Sequence, residues 1–208
     1  EYIHVEKPDQ EAVPSRQFDI SKIDFDLLSR EFAHARRKNL LLRDLDELVN
    51  QQLAKMLFAN PQRIDYYDRY QEIIDAYNAE QNRATIEKTF MDLMELASSL
   101  DTEQQRYVRE GFSSDEELSV YDLLFSENLT KQEIETIKKV SVDLLTKIKQ
   151  QIAKLDHWTD KQETKAIVDN LIRNTLWQEL PNSYDVSDIQ TYQKKIYEYV
   201  YMRYPEVA

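Results

Sequence analysis

Three groupings of residues in this chain have side chains of the kind that do chemistry. Glu31 and His34 stand three apart, a spacing that puts a carboxylate and an imidazole on one face of a helix, as in di-metal bundle sites. Such a site needs a complete ligand set from several helices, and the chain has only His4, His34 and His157 to offer. Asp160, Glu163 and Lys165 imitate the acid-x-Lys end of a magnesium-dependent nuclease, where carboxylates hold the metal and lysine polarises a phosphate. That chemistry needs Glu163 and Lys165 on one face, which a strand provides and a helix does not. The pattern around them is helical, so a solvated helix face is the expected reading. Serines, aspartates and histidines are present together, but no serine is flanked by glycines as a nucleophile elbow requires.

Phosphate-cradling loops are missing for a compositional reason. The chain holds one glycine, Gly111, in 208 residues, where average usage would give about 15. A Walker loop, a dinucleotide fingerprint and a kinase-type lid all need several glycines, because the backbone must turn tightly and approach an anion closely. No catalytic, cofactor-binding or metal-ligating residue is therefore assigned.

Two further clusters are candidates for contact. Arg30, Arg36, Arg37, Lys38 and Arg43 crowd together in a chain of net charge −12. They read either as a contact for phosphate or an acidic partner, or as solvated helix positions with local partners such as Asp44. Near the C-terminus Tyr197, Tyr201 and Tyr204 recur at +4 and +3. They read either as a partner face or as a core stripe with phenols reaching the rim. Trp158 and Trp177 are both expected in the core.

The elements that must carry these clusters are helical. Residues 1–23 lack helical periodicity, carry Pro8 and Pro14, and read as an arriving linker. Residues 24–208 read as one helical domain with a soft boundary near residue 111. An apolar stripe from Phe25 and Phe32 through Leu41, Leu45, Leu48 and Leu57 predicts one long helix, stopped by Asn60-Pro61. Ile86, Phe90, Leu93, Ala97 and Leu100 form a clean stripe at +4, +3, +4, +3. Asp101 with Gln104, Ser114 with Glu117 and Thr130 with Glu133 have capping-box spacing and predict three helix starts. Gly111 suits the position just past a helix end. Further helices are expected over about 160–180 and 186–204. The sum is an all-α chain, an irregular bundle of seven to eight helices without significant sheet.

Composition bounds the rest. The pI is near 4.8, so most of the surface repels a phosphate backbone, and nucleic-acid contact needs a local basic patch. With no cysteine, thiolate chemistry, zinc ribbons and iron–sulfur clusters are excluded. No apolar run approaches the roughly 20 residues that span a bilayer, so no membrane partner is expected. A start at Glu1 rather than Met reads either as a processed protein or as a piece of a longer one.

The chain resembles a known family across about residues 20–205. Arg36-Arg37-Lys38-Asn39, the block from Leu45 to Asn78, Glu117 to Leu124, Lys138 to Ile152, Asp156 to Lys165, Leu180-Pro181 and Tyr192 to Tyr204 are similar, in order, to the C-terminal helical region of type I restriction enzyme R subunits. The resemblance implies a parent subunit with a nuclease domain, two ATPase motor domains using ATP and magnesium, and this helical region last. It implies no catalytic residue and no cofactor in this piece. Its implied partners are the methyltransferase core of modification and specificity subunits and the parent's own motor domains, in a bacterial or archaeal cytoplasm. The expected role is docking the translocating endonuclease subunit onto that core, with the long first helix passing position from the motor. The alternative is direct DNA contact through residues 30–43.

Overall fold

A computed structural model describes residues 23–80 and 82–205. The linker reading of residues 1–23 lies outside them, save for Ile23. Among the described residues there are nine α-helices and no strand: α1 (Phe25–His34), α2 (Lys38–Ala59), α3 (Ile64–Ala79), α4 (Arg83–Gln104), α5 (Arg106–Arg109), α6 (Asp115–Leu124), α7 (Lys131–Ile152), α8 (Gln162–Glu179) and α9 (Val186–Arg203). They form two compact units, Glu1–Arg109 and Glu110–Ala208.

In the first unit α2 and α3 pack on α4, and α1 lies against α4. Leu42, Leu45, Val49 and Leu53 of α2 meet Tyr70 and Ile74 of α3 and Phe90, Leu93, Ala97 and Leu100 of α4 in one buried core. The expected long first helix is two helices. Ala35 at φ −68°, ψ 136° ends α1, and Arg37 at φ −120°, ψ 68° precedes α2. The reason is phase. At 3.6 residues per turn a continuous helix would aim Phe32 roughly 100° away from the stripe of Leu42, Leu45 and Val49. The break removes that offset, and Phe32 stacks on Phe90 with ring centroids 3.6 Å apart. A rigid rod running from residue 23 to 60 is therefore not what this segment forms.

Asn60 behaves as expected: its side chain accepts from the Gln62 N–H and Pro61 opens a short 3-10 turn to Arg63. Asp101 does not begin a helix, because α4 runs through it to Gln104. The extra turn is held by tertiary partners. Glu103 accepts from Arg63 Nε at 3.1 Å, and Gln104 accepts from Gln52 at 3.2 Å.

In the second unit α6 packs on α7 and α9, α7 on α8, and α8 on α9. Gly111 sits past α5 at φ +84°, a left-handed residue that glycine alone adopts without strain. Ser114 caps α6 by accepting from the Glu117 N–H, while the Glu117 carboxylate takes the Ser113 N–H instead of Ser114's. Thr130 and Glu133 form a reciprocal capping box, as do Asp185 and Asp188. Among the described residues no helix is long and apolar enough to cross a membrane.

Candidate functional site

The break between α1 and α2 does more than realign a core. It turns the backbone so that Arg36, Arg37, Lys38 and Arg43 line one cavity of about 930 Å³, with Arg83 from the start of α4 and Tyr77 from α3 opposite. Arg30 is not part of its wall; it stands exposed on α1. The five cationic side chains around the cavity are unequally neutralised. Glu87 of α4 takes both Lys38 Nζ at 2.6 Å and Arg83 Nε at 3.2 Å. The Lys38 hydrogen bond, followed by that of Arg83, holds the Glu87 carboxyl below its ordinary range. Arg36, Arg37 and Arg43 are exposed. They make no ion pair with any described residue, so the expected local partner Asp44 does not cover them.

Asp46 lines the same cavity but is mostly buried, and it accepts a hydrogen bond from Tyr70 Oη at 2.8 Å. Burial pushes its carboxyl up; the Tyr70 bond pulls the other way without cancelling the effect. Even with Asp46 and Glu87 both charged, Arg36, Arg37, Lys38, Arg43 and Arg83 leave the surroundings net positive. The cavity is therefore cationic in an acidic protein, with an aromatic wall, and suited to an anion.

The tyrosines of α9 are placed differently. Trp158, 1% exposed, lies in the turn between α7 and α8. The rings of Tyr197 and Tyr201 stand edge-on to it, at 6.2 and 5.7 Å. Trp158 Nε1 donates to the Tyr204 carbonyl at 2.6 Å. Burial, with Tyr199 and Glu116 nearby, pushes the Tyr204 phenol up. Tyr197 and Tyr204 are half-buried and Tyr201 is 38% exposed. The trio thus spends much of its surface on its own unit, with Tyr201 reaching furthest out.

Trp177 corrects the expectation of two core tryptophans, being 49% exposed on α8. Val168, Ile172, Thr175 and Leu176 form the buried face of that helix, and Trp177 lies across the cylinder from them, as does exposed Ile167. The missing phase relation to its buried neighbours was the signal for this in the sequence. Arg83 and Tyr77 had no signal, being some forty residues along the chain from the arginines they join.

The catalytic imitations stay apart. Glu31 and His34 are both exposed on α1, and Glu163 is exposed on α8. Lys165 turns away to lie over the Tyr201 ring at 5.6 Å. Among the described residues no group of three or more potential metal ligands is assembled.

No curated protein matches the chain, and no solved structure does. A family model described as "type I restriction enzyme HindI endonuclease subunit-like, C-terminal" matches residues 11–204. Helix-only architecture, the ordered blocks of resemblance and a match across nearly the whole sequence agree, and the chain belongs to this family of C-terminal regions of type I restriction endonuclease subunits.

Proposed function

We propose that this region is the non-catalytic docking and coupling domain of its subunit, holding the ATP-driven translocase and endonuclease onto the methyltransferase core. Docking gives a translocating motor something to pull against. The observation that carries the reading is the outward face of α8. Ile167 and Trp177 point away from the core at 42% and 49% exposure, with Asn170 and Asn174 between them on the same side. A bare tryptophan in line with Ile167 and two asparagines, with Glu163 at the end of the stripe, has the aromatic anchor and polar rim of an interface centre.

Calorimetric titration of the chain into the core of modification and specificity subunits tests this. Wild type is expected to bind, and Trp177→Ala to weaken binding by about 2 kcal/mol, the scale of an interface hot spot. Unchanged affinity in the variant would sink the assignment of this face, and silence of the wild type would sink the docking reading itself.

A second reading, direct contact with DNA, is favoured by Arg36, Arg37 and Arg43 around the cationic cavity, which have no ion-pair partner among the described residues. Its mark is salt dependence. Replacing all three with alanine should reduce the slope of log affinity against log salt by about three, one per lost phosphate contact.

A further inference from the structure

On α1 and the adjoining part of α2 lies a second concavity, of about 390 Å³ and of opposite character. Its floor is built by Leu28 of α1 and by Leu41, Leu45 and Leu48 of α2. The three α2 leucines follow one another at +4 and +3, one face of a helix. Leu27 forms part of its wall and is 51% exposed. An exposed leucine alone means nothing, but one standing over a leucine floor extends an apolar surface that water must solvate.

Among the described residues its charged lining is wholly acidic: Asp24, Glu31 and Asp44 line the groove, and no described lysine or arginine does. Asp24 is already used, accepting from the Leu27 N–H as the cap of α1. Glu31 and Asp44 are exposed and have no ion-pair partner among the described residues. They stand on different helices, one on α1 and one on α2.

We propose that this groove docks a cationic amphipathic helix from a partner protein, its apolar side chains on the leucine floor and its lysines or arginines on Glu31 and Asp44. Charge complementarity selects this occupant. Phosphate backbones and anionic lipid surfaces are repelled by the two carboxylates. An acidic helix would meet like charge on both sides. A helix supplies anchors at i, i+4 and i+7, the spacing of Leu41, Leu45 and Leu48. The leucines give affinity, and the carboxylates give orientation and speed of encounter. The proposal is independent of the docking face on α8 and of the cationic cavity.

The test uses a labelled helical peptide of about 18 residues, five turns, with leucines at i, i+4, i+7 and i+11 and lysines at the flanking positions. Its twin carries glutamate for every lysine. Fluorescence anisotropy against the 208-residue chain should give a dissociation constant on the order of 10 μM for the lysine peptide and no binding of the twin. Leu27→Lys, an exposed position whose change leaves the core alone, should weaken binding about tenfold. The double variant Glu31→Lys with Asp44→Lys should transfer preference to the glutamate twin. This charge swap reports on recognition even where affinity falls for other reasons, and circular dichroism checks that each variant keeps its helices. Equal binding of the two peptides, no binding of either, or indifference to Leu27→Lys would each overturn the proposal. So would binding that appears only after removal of residues 1–22, which would give the groove to this chain's own preceding segment. Self-association abolished by Leu27→Lys would give it to a second copy, and would overturn the proposal equally.

Discussion

The two units bury polarity in different currencies. In the first, Asp46, Arg63 and Glu103 are all below 10% exposure, while the buried polar residues described in the second are Ser119, Ser141 and Thr175. The hydroxyls of Ser119 and Ser141 donate back to carbonyls four residues earlier in their own helices, at 2.8 and 2.6 Å. Ser141 is satisfied within its own helix, and Ser119 adds a contact with the Tyr199 phenol of α9. The charged groups of the first unit depend on partners from other elements. Arg63 needs Glu103 forty residues away, and Asp46 needs Tyr70 on another helix. Each pair permits few alternative placements of its helices, at the risk of a large penalty when one partner is lost. The second unit fixes its geometry with ring shape instead. Trp158 meets the neighbouring rings of Tyr197 and Tyr201 edge-on, and Tyr184 Oη donates to the Leu124 carbonyl at 2.7 Å.

The sharpest way to break this comparison is at the centre of each unit. Trp158→Ala should cost about 4 kcal/mol, the scale of a buried indole replaced by a cavity. It also orphans the Tyr204 carbonyl. Hydrogen exchange should speed up in α7, α8 and α9 and leave α2, α3 and α4 protected. Arg63→Ala should cost about 3 kcal/mol, because it leaves Glu103 buried beside one fewer cation. Arg106, 3.2 Å from the same carboxylate, softens that loss. Here exchange should speed up in α2 to α4 and spare α7 to α9. If either variant loosened both units together, the two would melt as one body and the contrast would have no separate energetic content.

Smaller and more local is the cap of α9. Asp185→Ala removes an acceptor for the Asp188 N–H at 2.8 Å and should cost about 1 kcal/mol, read as a lower melting temperature. This is also the kind of feature that sequence exposes best. Thr130 with Glu133 declared the start of α7 because a capping box is entirely local. Asn60-Pro61 declared the end of α2 for the same reason. Asp101 with Gln104 has the same spacing and lies inside α4, since the buried Glu103 finds Arg63 across the unit and a further turn is stabilised. The break at Ala35 to Arg37 carries no glycine or proline; its only trace is the phase slip between Phe32 and Leu42. Half of the cationic cavity could be read from the run Arg36, Arg37, Lys38. The other half, Arg83 and Tyr77, is created by folding. Trp177 and Trp158 are the same letter: helix phase turns Trp177 outward, whereas Trp158, in a turn, is buried against the tyrosines that folding brings onto it from α9.

The weakest perturbation is the most specific to the first unit, because it acts through a charge that the second has no buried counterpart for among its described residues. The Asp46 carboxyl is held above its ordinary value of 3.8, chiefly by burial and further by the Glu47 charge. A carboxyl raised in this way favours the folded state in its protonated form. The stability it contributes is complete below the unfolded value and is lost as pH climbs through the folded one. At neutral pH the ionised group is thus a burden that the Tyr70 hydrogen bond only partly offsets. Asp46→Asn keeps an oxygen for Tyr70 Oη and removes the charge. The variant should therefore melt above wild type at neutral pH, and the advantage should shrink as pH falls towards 3.8 and both proteins become neutral at this position. An asparagine variant less stable than wild type at neutral pH would mean that the Tyr70 bond to a full negative charge outweighs burial, and that the first unit gains stability from the charge it encloses.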